Sequence, residues 1–199
     1  MYPSLVPLVP LVLFCFVAAF TPGPNNILGS YSGFNFGIKK SIPLILGVTF
    51  GYSFLLVVLA AGLIIIFKTY PVLQIILKIC GSGFLIYLAY KISFQNKAQQ
   101  QTITNPVKFF HTFIFQFINP KGVIIAVITI STFVETGSNY LFHSIVVVAV
   151  SFCCAITSIT SWCLLGKFLR RFATNEKFIQ IFNYVMSFLL IVCVIMFYL

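Results

Sequence analysis

The chain has 199 residues, 60% of them hydrophobic and only 7% charged, with a mean hydropathy of +1.09. A soluble globular domain is about half apolar and about a quarter charged. Too few polar side chains are present to clothe a water-facing surface, so soluble enzymes, disordered tails and extracellular disulfide scaffolds are excluded. Twelve Lys and Arg face two acidic residues, both Glu, for a net charge of +10.

At about 20 apolar residues per spanning helix, this composition supports at most about six spans. The apolar runs are long and continuous rather than alternating in polarity, which argues for helices and against an outer-membrane barrel. In chain order they cover roughly 5–28, 42–67, 72–94, 109–133, 141–165 and 178–198. The abundant Val and Ile do not argue for strands here, because only helices or closed barrels satisfy their backbone in lipid. The N-terminus lacks the basic region of a signal peptide and is read as the first span. Gln95 to Lys108 is the longest polar stretch and reads as a solvated loop within one membrane domain, 1–199.

Cytoplasmic loops collect Lys and Arg. Lys39 and Lys40 fall in the first loop, Lys91, Lys97 and Lys108 bracket the third, and Lys167, Arg170, Arg171 and Lys177 mark the fifth. The even loops carry Lys68 and Glu135. The odd loops are therefore expected in the cytoplasm, with both termini outside. Orientation accounts for most of the positive charge, and no basic stripe or RNA-type motif points to nucleic acid.

Two spans carry breaks. The first contains Thr21-Pro22-Gly23-Pro24-Asn25-Asn26, and the fourth contains Gln116 followed by Asn119-Pro120-Lys121-Gly122. Proline removes a backbone donor and clashes with the preceding turn; in lipid such a break survives only against protein or a water-filled cavity. Pro22 and Pro120 stand about half a chain apart. Each half, approximately 1–96 and 105–199, then holds three spans, and an odd number forces the halves into opposite orientations. Interrupted segments at matching places in two halves point to a transporter's binding site.

The fold expected is thus an all-α membrane protein of six helices, built as two inverted three-helix repeats with helices 1 and 4 broken at their Pro motifs. Pro22, Gly23, Pro24 and Pro120 shape the breaks. Asn25, Asn26, Gln116 and Asn119 offer uncharged amide donors and acceptors, and Lys121 sits mid-span, where a cation is costly and generally functional. Cationic and N–H donors for a carboxylate, with freed carbonyls for an ammonium, suit an amino-acid zwitterion. A pair of simple proline kinks, with Asn gluing helices together, is the plainer alternative.

Other polar features have plainer readings. Lys78 and Lys91 lie near the ends of span three, where such side chains snorkel. Gly47 and Gly51 form a GxxxG pair that favours internal helix packing over dimerisation. Ser158 and Trp162 either line a cavity or pack; Thr129, Ser131 and Thr132 either line a path or bond back to their helix. His111 and His143 read as interfacial. The six cysteines all fall in spans, form no CxxC and read as packing residues, so neither a metal nor a cofactor is expected.

At these residues the chain resembles the LysE/RhtB family of amino-acid exporters over nearly its whole length. The resemblance rests on Pro22-Gly23-Pro24, the basic first loop after Gly37, the series Gly47, Gly51 and Gly62, and Gln116 with Asn119-Pro120-Lys121. The fuller motif from Thr21 to Leu28, with Ser131–Val134, is most similar to the cysteine/O-acetylserine exporter branch. Many relatives place an acid after the second glycine of span two; Tyr52 stands here, as the branch also lacks that acid. The branch tends to lose the proline that is present here as Pro120. The resemblance implies a carrier in the bacterial plasma membrane that expels amino acids or close derivatives, driven by the proton-motive force. Glu135 and Glu176 both lie in loops, so such a carrier would have no buried carboxylate to relay protons.

Two other readings remain. A transmembrane thiol–disulfide relay of CcdA type also has three-plus-three spans, but it needs a reactive cysteine in each half, and span four contains none. A non-transporting membrane scaffold explains the apolar mass and leaves the paired breaks and the central Lys without a purpose. The sequence names neither the exported molecule nor the oligomeric state.

Overall fold

The computed structural model describes residues 7–63, 69, 71–93, 107–135, 137–173, 176–196 and 198, and no strand occurs among them. The helices are α1 (Leu8–Phe20), α2 (Pro24–Val58) with a π-helical turn at Leu59–Leu63, α3 (Pro71–Ser93), α4 (Phe109–Ile118), α5 (Pro120–Phe133), α6 (Tyr140–Arg170) and α7 (Glu176–Met196). Large apolar side chains such as Val9, Phe110, Leu141 and Phe188 point outward and exposed. In water such a surface would drive association; around a bilayer it is the face that lipid covers.

Pro24–Gly62, Tyr140–Arg170 and Glu176–Ile195 are each long and apolar enough to cross a membrane, and α4 with α5 makes a fourth such segment bent by 65°. Within the first of these, Gly37 adopts φ 74°, ψ 172°, outside the helical region. The Ser32 and Ser41 hydroxyls lie 2.7 Å apart, whereas nine residues of straight helix advance about 13.5 Å. The chain therefore reverses at Gly37, and α2 is a hairpin of two helical arms. The segment expected to be the first loop is this single-glycine turn, with helix up to and beyond Lys39 and Lys40. A positive φ costs glycine little because it has no Cβ.

The hairpin packs closely on α6. A Cβ on Gly33 would land on the Cys163 carbonyl, and one on Gly166 would land on the Ser30 carbonyl. Gly47 and Gly51 do the same against α4, where a Cβ would meet the Phe109 and Phe113 carbonyls. This GxxxG pair is spent on internal packing. Near the turn, Phe34 stacks on Phe182 with ring centroids 3.8 Å apart, and the Arg170 guanidinium lies 5.4 Å from the Phe34 ring. The turn and the basic end of α6 thus share one end of the molecule.

At about 1.5 Å per residue, the 31 residues of α6 run about 46 Å, longer than the ~30 Å hydrocarbon core. Its last turn carries Lys167 and Arg170, where cations complement the helix dipole. Two apolar clusters form the interior. One joins Ile27, Leu44, Val48, Leu85, Phe115 and Ile159; the other joins Leu11, Leu55, Leu59, Ala126, Phe133 and Val147.

His143 departs from the interfacial expectation: it is 1% exposed, and its Nδ1 accepts the Glu135 backbone N–H at 3.4 Å. The ring caps the connection from α5 to α6. His111 is exposed. Lys68, Lys97, most of the polar stretch from Gln95 to Lys108, and the side chains of Lys78 and Lys91 lie outside the described residues.

Candidate functional site

The first break follows from three residues that cannot extend α1. Its last bond joins the Thr21 N–H to the Val17 carbonyl at 3.0 Å, and the next helix begins with Gly23 extended and Pro24 in the first turn. Pro22 and Pro24 have no N–H to donate, so carbonyls at the end of α1 need other partners. Side chains supply them. The Asn26 amide donates to Ala19 O at 2.7 Å and to Thr21 O at 3.0 Å. The Ser158 hydroxyl of α6 donates to Ala19 O at 2.8 Å. Lys121 Nζ donates to Thr21 O at 2.7 Å and to Pro22 O at 3.2 Å.

The second break is shorter. Asn119 alone leaves the helix, at φ −80°, ψ 103°, and Pro120 starts α5 where a missing N–H costs nothing. Pro24 and Pro120 therefore hold equivalent places, each opening a half-helix, whereas Pro22 lies inside the first break. The Asn119 side chain makes no capping bond. It is 2% exposed, and its Oδ1 has no partner among the described residues. A buried orphan acceptor costs about 1–3 kcal/mol, so it calls for an explanation.

A reciprocal amide pair joins the two broken segments. Asn25 Nδ2 donates to Gln116 Oε1 at 2.8 Å, and Gln116 Nε2 donates back to Asn25 Oδ1 at 3.1 Å. Gln116 also bonds the Thr112 carbonyl at 2.8 Å. The stem of Lys121 passes directly over Gly23, where an added Cβ would sit 2.9 Å from Cδ. At Gly81 a Cβ would strike the Ile118 carbonyl, so α3 touches the second break through a bare backbone.

Between the breaks lies a cavity of about 80 Å³. On a measure by which one water takes about 10–15 Å³, it has room for a few waters or a small solute. Asn25, Asn26, Asn119, Lys121, Gly23 and Pro24 all line it; Gln116, Pro22 and Pro120 do not and act from behind it. Sequence reasoning missed Cys15, Tyr52 and Ser151, which contribute a neutral polar wall from α1, α2 and α6. Cys15 Sγ and Ser151 Oγ are 3.5 Å apart, and Tyr52 pairs with Thr129. Tyr52 was visible only as a departure from the acid that many relatives carry there, and nothing in the spacing of Cys15 or Ser151 marks them.

Ser158 does line the cavity, while the Trp162 carbonyl accepts a bond from Ser30 at 3.2 Å. Thr129 bonds back to the Ile125 carbonyl at 2.7 Å. Among the described residues the lining carries one cation and no carboxylate. Lys121 is half-buried, and a partly desolvated ammonium gains when an anion joins it. The arrangement favours a ligand that brings its own carboxylate.

Comparison with known proteins gives a consistent result. The family model described as LysE type translocator matches residues 16–199. Relatives include the cysteine/O-acetylserine efflux proteins of Escherichia coli O1:K1 / APEC and Escherichia coli O157:H7, each 28% identical over 182 residues that cover 90% of this chain and 91% of theirs. The protein of that name from Escherichia coli strain K12 is 27% identical over the same length. No solved structure matches the chain.

Proposed function

The chain belongs to the LysE type translocator family, a membrane transporter and not an enzyme, and from that premise we propose that it exports small amino acids or close derivatives by alternating access. The observation that carries this reading is that Lys121 and Asn119 line one cavity between two broken helices, with Asn119 Oδ1 left without a partner among the described residues. Lys121 meets the substrate carboxylate. Asn119 Oδ1 and carbonyls of the first break accept from its ammonium. Asn25, Asn26 and Gln116 hold the broken backbone in shape around the substrate.

The cavity is small and its wall is neutral, with the hydroxyls of Ser151 and Ser158 and the thiol of Cys15. That favours short uncharged side chains over long or cationic ones, in keeping with the cysteine and O-acetylserine named for the relatives. In this proposal the chain forms one domain of six spans in the bacterial plasma membrane, as inverted halves of approximately 1–96 and 105–199. α1 with the first arm of α2 is span one, and the second arm is span two. The basic ends face the cytoplasm and both termini face outside.

Export is driven by the proton-motive force. With Glu135 just past α5 and Glu176 at the first residue of α7, no carboxylate relay runs through the spans, and the coupling proton travels with the substrate or on Lys121.

The test is efflux of radiolabelled cysteine, O-acetylserine, threonine and lysine from proteoliposomes, with and without an imposed proton gradient. Faster release of the small neutral amino acids than from empty-vector vesicles is expected. Equal release of all four, or full activity in a folded Lys121→Met variant, would overturn the assignment.

A further inference from the structure

Lys121 is placed unusually for a residue that waits for a carboxylate. Its ammonium donates to two main-chain carbonyls, Thr21 O at 2.7 Å and Pro22 O at 3.2 Å. Those acceptors belong to the opposite broken helix, whose interruption leaves them without main-chain donors, and Thr21 O also accepts from Asn26 Nδ2 at 3.0 Å. The seat is built for the side chain: at Gly23 any Cβ would lie 2.9 Å from Lys121 Cδ and 3.0 Å from Nζ. A few residues away, the Asn119 oxygen lacks a donor while 2% exposed. Carbonyl dipoles solvate an ammonium but leave its charge unpaired.

We propose that the carbonyls of Thr21 and Pro22 form an ammonium site that Lys121 fills when no substrate is bound. The inference rests on the proposed export function for its ligand, a primary ammonium carried on an amino acid. Substrate enters by exchange. Its ammonium takes the two carbonyls and donates a further N–H to Asn119 Oδ1, while the displaced Lys121 ammonium turns to the substrate carboxylate. A zwitterion satisfies both poles. A simple amine displaces Lys121 and leaves two cations without a counter-ion, so the unmodified protein binds it only weakly. The bond from Lys121 to the first break is also a latch between the two broken helices, and only a complete amino acid both releases and replaces it.

The test uses propylammonium chloride as the probe and thermal unfolding of the purified full-length protein in detergent as the readout. Lys121→Met vacates the carbonyl site, and Gly23→Ala pushes the lysine off its seat without removing the charge. If Lys121 holds the site about nine-tenths of the time, freeing the site tightens amine binding about tenfold. The expected result is half-saturation by propylammonium at about one-tenth of the wild-type concentration in Lys121→Met, with a smaller gain in Gly23→Ala. Lys121→Gln replaces the Met variant if that one does not fold. Equal binding by wild type and variants, or no amine binding by either variant, overturns the proposal. The readout involves no transport, so amine binding by Lys121→Met with no amino-acid efflux by the wild type would spare this site and sink the export reading. Efflux without amine binding would do the reverse.

Discussion

The two broken helices solve one problem in opposite ways. The first break spans Thr21 to Gly23, contains Pro22 and is closed by Pro24 at the start of α2, and it frees carbonyls that are met by side chains from both broken helices and from α6. The second is a single residue, Asn119, buried and bent by 65°, and it leaves an acceptor unmet. One break offers acceptors; the other contributes the cation that occupies them. Two identical breaks would make a site with like poles, whereas this pair has a negative pole of carbonyl dipoles and a positive pole at Lys121. An amino-acid backbone carries the complementary charges.

Removing the positive pole should break that asymmetry most severely. Lys121→Met loses a charged hydrogen bond, a cost of about 1.5–3 kcal/mol, and efflux at low substrate should fall about ten- to a hundredfold. Initial rates from loaded proteoliposomes measure it, and Lys121→Arg should retain part of the activity. Next comes the link between the breaks. Gln116→Leu strands the Asn25 amide and should cost about 1–3 kcal/mol of stability. The Asn25→Leu/Gln116→Leu double variant should recover part of that loss, with a coupling of at least about 0.5 kcal/mol in thermal or denaturant unfolding.

Asn119→Ala separates stability from function at the second break. The side chain makes no cap, and its oxygen is an orphan, so its removal should stabilise the unliganded protein by about 1 kcal/mol. Efflux should nevertheless drop several-fold; a variant that gains stability and keeps full efflux would place the substrate elsewhere. The smallest effect is expected at Thr21→Val. Its hydroxyl bonds only the Val17 carbonyl of its own helix, on an exposed residue, and the first break works through the Thr21 main chain. Stability should change by no more than about 0.5 kcal/mol and efflux should stay close to wild type. A large loss would mean that the first break binds through side chains after all.

Much of the site was legible in the sequence because proline acts locally. It removes its own N–H wherever it stands, so both breaks, the mid-span Lys121 and the amides beside them could be read from the chain alone. The roles were not legible. Asn25 and Gln116 have the chemistry to bind substrate, and only their mutual contact across distant parts of the chain shows them spent on each other. Pro22 looked like the counterpart of Pro120, but helix starts are defined by backbone bonds, and these make Pro24 the counterpart. Tyr52, Cys15 and Ser151 carry no local signal, because a small neutral residue on an apolar helix looks the same whether it faces lipid or a cavity.

Composition by itself determined that this chain lives in a bilayer as a bundle of helices, since 60% apolar residues cannot be hidden in a fold of this size. Backbone chemistry determined where two of those helices must break. Tertiary structure decided the rest. The turn at Gly37 reduced an expected loop to one residue, and the close approach of α2 to α4 at Gly47 and Gly51, with the Asn25–Gln116 pair, brought the two broken segments together. In that arrangement the Lys121 ammonium sits on the carbonyls of Thr21 and Pro22. Hydrogen bonds reach about 3 Å, so whether a cation at the start of α5 meets carbonyls just past α1 depends on ångström-scale packing that no local pattern of residues encodes.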